Sequence, residues 1–428
     1  MPRSPSSTLV IALVCACADA DADTHDGSSS ASGSAESGSS GGSGGSASAS
    51  SASASSASAS SASAEGGQDS SGGDATDTGG GGPWDAGNPD GSCSEGVPSL
   101  GQAVDTSSPT TVVGDGTAPS CTHDALAAAV AQGGIITFDC GDAPVTIAIT
   151  ATLSLRTDVD TVIDGGQTVT LDGQHQVRVL QYDSPNFMAT ATRVTLQHLR
   201  IVGGKATPTS TIPEAPPPCS QGYDDGQGGA LYMRDGNLSV IDCIFEDNEA
   251  APLGPDTGGG AIYVLGSLEG MVVAGSTFRG NHASNAGAVG GLFCQLSIYD
   301  SLFVDNAATG NGANGNDPAQ CQVMHAGQNQ VGSGGNGGAI YSDGQSVDVT
   351  ICGTAITGNA AGEGAFGGGL FFTSNDFGGD LSIIDSSMQQ NTGGSWTQAQ
   401  TGDLHDAGTA VGTNCHSLTI VNSSLQGL

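Results

Sequence analysis

The stretch Leu296-Ser297-Ile298-Tyr299-Asp300-Ser301-Leu302-Phe303-Val304-Asp305-Asn306 decides the fold, because its spacing recurs seven times in the chain. Copies begin at Val194, Leu238, Met271, Leu296, Val349, Leu381 and Leu418. Positions one and three are apolar in every copy, as alternate residues of a strand are when one face is buried. The sixth position is mostly small (Leu199, Cys243, Ser276, Ser301, Thr354, Ser386, Ser423), and the eighth is large (Ile201, Phe245, Phe278, Phe303, Ile356, Met388, Leu425). The step from three to six adds one residue to the alternation, so each phrase reads as two short strands joined by a bend. The bend falls on His198, Asp242, Gly275, Asp300, Gly353, Asp385 or Asn422, largely residue types that tolerate turn conformations.

Position eleven is Asn in the five central copies: Asn248, Asn281, Asn306, Asn359 and Asn391. After each comes a loop of variable length and then a third apolar segment, such as Gly259-Gly260-Ala261-Ile262-Tyr263 or Gly337-Gly338-Ala339-Ile340-Tyr341. Three strands per repeat make one coil. Such repeats cannot bury a face alone and must stack, each strand parallel to its counterpart in the next coil. The copies start 44, 33, 25, 53, 32 and 37 residues apart, so the shortest interval is the basal coil and the excess is insertion into loops. The expected fold is all-β, a right-handed parallel β-helix of about nine coils. An antiparallel sandwich would not produce one in-phase template. The stacked Asn side chains are expected to hydrogen-bond up and down their column and fix register.

Ahead of the repeats, Thr122 to Gly134 carries a Thr N-cap, an acid in the first turn, an Ala-rich interior and a Gly-Gly stop. It predicts a short amphipathic helix over the open end of the first coil. Residues 27–82 are almost wholly Ser, Gly and Ala with scattered acids, a composition that buries too little apolar surface to fold. The N-terminus has a basic start, the apolar run Leu9 to Val14 and then Cys15-Ala16-Cys17, which reads as an export signal. Val14-Cys15-Ala16-Cys17 resembles a bacterial lipobox with Cys17 as the acylated residue; the alternative is an ordinary signal peptide cut nearby. The expected organisation is a signal peptide at 1–16, a tether at 17–92, an N-terminal cap and first strands at 93–150, and the β-helix at 151–428. Export to a bacterial cell envelope, lipid-anchored at the outer membrane or cell surface, follows from this reading.

The chain of 428 residues has a formal net charge of −35, with eight Lys and Arg in all and Lys205 the only lysine. Such a surface repels nucleic acid and anionic headgroups. Without its first 16 residues and a lipidated Cys17 the chain keeps nine cysteines, an odd number that leaves at least one free. Cys121 and Cys140, which bracket the helix and the following strand, are the expected disulfide by separation. No Cys-x-x-Cys or HxxxH spacing points to a metal, so no cofactor is expected, with calcium on loop acids the weak exception.

The phrases Phe245-Glu246-Asp247-Asn248, Phe278-Arg279-Gly280-Asn281 and Phe303-Val304-Asp305-Asn306, alternating with Gly-Gly-Ala-Ile at 259–262 and 337–340, resemble the paired FxxN and GGAI repeats of chlamydial polymorphic outer-membrane proteins. The resemblance covers about residues 194–428. It implies a surface-exposed β-helix with a role in adhesion, although the membrane β-barrel that ends that family is lacking. The start, with Cys121, the helix, Gly133-Gly134 and Ile163-Asp164-Gly165-Gly166, is similar to the N-terminal cap of pectate-lyase-like β-helices.

Acids of the bend slot (Asp242, Asp300, Asp385) are interrupted by Gly275 and Gly353 and read as turn formers. Candidates for chemistry therefore fall in the insertions, where a rigid scaffold carries its functional loops: Asp224 and Asp225 in one, His405 and Asp406 in another. Arg200, Arg234 and Arg279 occupy different slots, which leaves no evident base for a lyase. The expectation is a non-enzymatic surface protein that binds a glycan, a cell surface or a partner protein. A polysaccharide lyase or hydrolase with its site in the loops, and a structural spacer, are the alternatives. The longest insertions, 205–227 and 307–336, are the expected recognition surface.

Overall fold

Alternating apolar residues, bends and asparagines assemble as the template requires. The computed structural model describes residues 11–14, 84–212, 222–254, 256–310, 334–362, 365–374, 378–393, 411–413 and 415–426. Three long sheets run along a right-handed parallel β-helix. Sheet 1 has eleven strands, among them Arg193–Gln197, Asn237–Ile241, Met271–Ala274, Leu296–Tyr299 and Val349–Cys352. Sheet 2 has nine, including Arg200–Val202, Ile244–Glu246, Thr277–Arg279 and Leu302–Val304. Sheet 3 has eight, including Leu231–Arg234, Ile262–Leu265 and Val289–Leu292. The helix strands pair in parallel and in register, Leu238 with Met271, then Leu296, then Val349, and Phe245 with Phe278, then Phe303. The exception in sheet 1 is Ile11–Val14, within the run read as an export signal, which pairs antiparallel with Ser417–Val421.

Positions one, three and eight point inward and are buried in one continuous core. Phe245, Phe278 and Phe303 stack with ring centroids 4.9 and 4.7 Å apart, which matches the inter-strand spacing and lets each ring lie flat on the next. The helix His123–Gln132 is capped by the Thr122 side chain, which accepts from the Ala125 N–H, and stops at Gly133 with φ +72°. Its buried face, Leu126, Ala129 and Val130, closes the first coil.

Each corner has its own polar column. Between sheets 2 and 3, the Nδ2 of Asn248, Asn281, Asn306 and Asn359 donates to the Oδ1 of the next Asn at 2.9 Å. The same Oδ1 accepts the backbone N–H of the previous Asn, and each Nδ2 also reaches a carbonyl one coil back, as Asn306 does to Phe278. Both capacities of every amide are thus used inside a buried corner. A second ladder that the small sixth slot only hinted at runs beside the bend. The hydroxyls of Ser276, Ser301, Thr354, Ser386 and Ser423 each accept the N–H of the coil before and donate to the carbonyl two residues upstream. Cys243 begins this column with its Sγ donating to the Ile241 carbonyl.

The bend residues His198, Asp242, Asp300, Asp385 and Asn422 all take φ between +46° and +50°. Asp300 and Asp385 are held from outside by a segment whose composition places it partly in the tether. Residues 84–106 run along the rod as a strap. Gly87 N–H donates to Thr277 Oγ1, Cys93 N–H to Asp300 Oδ1, Ser94 N–H to Asp385 Oδ2, and Thr106 Oγ1 to Asp164 Oδ2. Residues 84–92 thus pack against the coils together with the residues that follow them. A disulfide between Cys93 and Cys352, 259 residues apart, pins the strap. Cys121 and Cys140 form a second disulfide, and Cys243, Cys294 and Cys415 are buried.

Candidate functional site

A β-helix presents three outer faces, and two of these are covered. The strap lies over sheet 1, burying Gln197, Val272, Ala274, Cys352 and Ile384. Sheet 3 carries an aromatic row, Tyr232, Tyr263, Tyr341 and Phe371, and the last three are buried, Tyr341 and Phe371 beneath Ala286 and Phe366 of the loops. Sheet 2 keeps a face open to solvent, and over four successive coils that face is lined with ionisable groups.

Three rows cross it. At the bend edge, the Asp164 carboxylate accepts from His198 Nδ1 at 3.0 Å, while His198 Nε2 lies 3.7 Å from Asp242 Oδ2. In mid-strand, Arg200 and Arg279 both reach Glu246, Arg200 Nε at 3.0 Å and Arg279 Nη1 at 3.1 Å. At the Asn edge, Glu249 meets Lys205 Nζ at 2.9 Å and lies 3.6 Å from His175 and from His282. One coil supplies Asp242, Glu246 and Glu249; its neighbours supply His198, Arg200 and Lys205 before it, Arg279 and His282 after it. In the following coils the equivalent positions are Leu302 and Val304, Ala355 and Thr357, then Ser387 and Gln389. The mid-strand and Asn-edge rows thus turn from charged to neutral, Ala307, Ala360 and Thr392 following at the Asn edge, while the bend edge keeps Asp300 and Asp385.

The titration of these groups follows from their partners. Burial would raise the Asp164 carboxyl, but hydrogen bonds from His198, Thr106, Gly166 and Gln197 hold it far below the usual range. The Asp164 hydrogen bond raises His198, so an imidazolium is favoured between the two carboxylates. Burial raises Asp242. Burial opposes ionisation of Glu249 too, yet Lys205, His282 and His175 together lower it. Among the described residues no group of three or more His, Cys, Asp or Glu side chains is placed to hold a metal ion.

The candidates from the insertions fare differently. Asp225 is a loop anchor: its carboxylate accepts the N–H groups of Thr209 and Ser210 and the Thr209 hydroxyl, 2.5–3.1 Å away, so it has no free edge for chemistry. Asp224 is exposed on the same loop beside the short antiparallel pair Thr211–Ile212 and Gly222–Tyr223. His405, Asp406 and Cys17 lie outside the described residues, as does most of 307–336. Arg200 and Arg279 occupy different slots of the repeat, yet their long side chains converge on one carboxylate from opposite sides. The signal that could have found this face was present: His198, Asp242, Glu246, Glu249, Arg279 and His282 sit at bend, ninth and twelfth positions of consecutive copies. The burial of Cys243 pushes its thiol up to about 12, which leaves it protonated and inert. No family model, curated protein or solved structure matches the chain.

Proposed function

We propose that the chain is an exported surface β-helix, anchored by lipid at Cys17, that binds a glycan along the open face of sheet 2. The observation that carries this reading is the confinement of the basic groups, with Glu246 and Glu249 between them, to one half of the only long face left uncovered among the described residues. Three of the seven described Arg and Lys residues, Arg200, Lys205 and Arg279, lie there in a molecule of net charge −35. Paired acids and bases in register offer donors and acceptors about 4.8 Å apart along the face, without requiring a deep pocket. Two disulfides suit an oxidising compartment outside the cytoplasm. The FxxN and GGAI likeness to chlamydial polymorphic outer-membrane proteins supports a surface-exposed, adhesive role. The test is a panel of neutral and acidic glycans, read for both binding and product formation, with and without calcium. Arg200→Ala/Arg279→Ala is expected to reduce binding at least about tenfold. Binding unchanged by that pair would move recognition to the insertion loops 205–227 and 307–336, and no binding at all would favour a structural spacer. Cys17→Ala is expected to release the protein into the soluble fraction.

A second reading, a polysaccharide hydrolase, rests on Asp164, His198 and Asp242. A carboxylate with its hydrogen-bonding capacity filled orients an imidazole whose other nitrogen faces a second carboxyl of raised pKa, an arrangement suited to general acid–base work. Product formation abolished by His198→Asn, with glycan binding retained, would favour it.

A further inference from the structure

At the corner between sheets 3 and 1, the loop of residues 184–192 holds large apolar side chains in solvent. Phe187 is 44% exposed and Met188 41%, and Leu268 of the adjoining turn is 49% exposed. An unconstrained surface loop would collapse such groups onto the body; this one is braced against doing so. The buried Asp235 carboxylate accepts the N–H groups of Ala189 and Thr190. Ser184 Oγ lies 3.0 Å from Thr190 Oγ1, Asn186 Nδ2 donates to the same Thr190 oxygen, and Arg234 Nη1 donates to the Ser184 and Asn186 carbonyls. The Phe187 ring lies over Gly266, where a Cβ would come within 2.4 Å of it, and meets Phe293 edge-on with centroids 5.9 Å apart. Met188 and Phe293 both take the left-handed region, φ +51° and +54°, which is uncommon for large side chains and costs on the order of 1 kcal/mol or more each. Leu265 and Leu292, register partners in sheet 3, extend the patch between the two aromatic rings and the neighbouring coils.

We propose that this patch is the docking surface for a partner protein segment bearing both apolar and basic side chains. The rim sets the charge. Asp183 and Asp343 stand in the same row as Leu265 and Leu292, Glu269 follows Leu268, and Asp348 lies in the next turn. The two nearby arginines are committed, Arg234 to the loop carbonyls and Arg193 to Glu269 at 2.7 Å. A second copy or an anionic membrane would bring like charge against this rim and against a net charge of −35. A basic amphipathic segment gains from both the apolar patch and its surroundings. This site lies on a different face from the glycan reading and does not depend on it.

The experiment uses the full chain and two short synthetic helical peptides, one of Leu and Lys, one of Leu and Glu. The Leu/Lys peptide is expected to bind, and Phe187→Ser/Leu268→Ser to weaken it at least about tenfold, while Arg200→Ala/Arg279→Ala leaves it unchanged. Leu268→Lys, which keeps Phe187 on Gly266, is expected to act in the same direction if the double variant loses stability. Equal affinity of both patch variants would overturn the proposal, because charge alone would then account for binding. So would equal binding of the Leu/Glu peptide, patch-dependent binding to phosphatidylcholine vesicles, or self-association that the variants abolish.

Discussion

Two turn columns of the same helix solve the same problem with different chemistry. At the corner between sheets 2 and 3, an amide occupies each of five successive coils, whereas at the bend between sheets 1 and 2 carboxylates alternate with glycine. An amide is both donor and acceptor, so successive Asn side chains attract one another at about 4.8 Å spacing. Carboxylates at that distance would repel by roughly 1–3 kcal/mol at partly exposed sites. Gly275 and Gly353 interleave Asp242, Asp300 and Asp385, and a Cβ at those glycines would fall 2.2 Å from Asp242 Oδ1 and 2.0 Å from Asp300 Oδ1. The carboxylate of one coil thus fills the space left by the glycine of the next. The pattern recurs two residues past the Phe row, where Asp247 precedes Gly280 and Asp305 precedes Gly358, all with positive φ. A one-coil period marks a self-complementary side chain; a two-coil period marks a charged one.

The most severe way to break the comparison is to interrupt the amide column. Asn306→Ala leaves the Asn281 N–H and Nδ2 without their acceptor and removes one donor from the Phe278 carbonyl and one of two from Asn359 Oδ1. All are buried, so a loss of about 3 kcal/mol or more in urea unfolding is expected. A loss below about 1 kcal/mol would mean that backbone pairing alone fixes this corner.

The bend column depends on its strap, and Cys93→Ser tests how far. Closing a loop of 259 residues restricts the unfolded chain, and a loss of about 2–4 kcal/mol is expected. Unchanged unfolding would show that Asp300 and Asp385 hold the strap without covalent help.

A smaller effect isolates charge spacing. Gly280→Asn and Gly280→Asp impose similar demands on a φ of +64°, but only the second sets a carboxylate beside Asp247. The Asp variant is expected to be less stable than the Asn variant by about 1 kcal/mol at low ionic strength, with the gap closing as salt is added. Equal stability at low salt would remove electrostatics as the reason for the alternation.

The smallest effect concerns His198, which takes a bend position that acids, glycine and Asn422 fill elsewhere. Its raised pKa gives stability that is complete below the ordinary value of 6.5 and is lost as pH rises through the folded value. The lowered Asp164 carboxyl contributes above its ordinary value of 3.8 and loses that contribution as pH falls through its folded value. The destabilisation by His198→Asn is therefore expected to be larger near about pH 5 than near about pH 9, by roughly 1 kcal/mol. A difference that does not vary with pH would leave His198 as a turn former only.

Much of this was legible in the chain. The apolar slots, the bend, the Asn column and the capping helix are local or strictly periodic, and a solenoid turns periodicity in sequence into stacking in space. The hydroxyl ladder was visible as smallness but not as hydrogen bonding, because position six had to be placed beside the carbonyl two residues upstream. The candidate face was harder to find. Asp225 attracted attention as a loop acid, yet Thr209 and Ser210 occupy it, whereas Glu246 and Glu249 looked like ordinary surface acids within the repeat.

What the sequence by itself determined is the coil: which residues face inward, where the chain turns, and that neighbouring copies must stack, since no single copy can bury its apolar face. Only the tertiary structure decided which outer faces remain open. The strap lies over sheet 1 because Cys93 meets Cys352 and its N–H groups find carboxylates at the bends, contacts between residues some 200 to 290 positions apart that no local pattern encodes. The loops cover sheet 3, and sheet 2 is left with Arg200 and Arg279 meeting over Glu246. Such convergence depends on side-chain reach across coils, a distance set by the 25- to 53-residue intervals only after they have been wound into register.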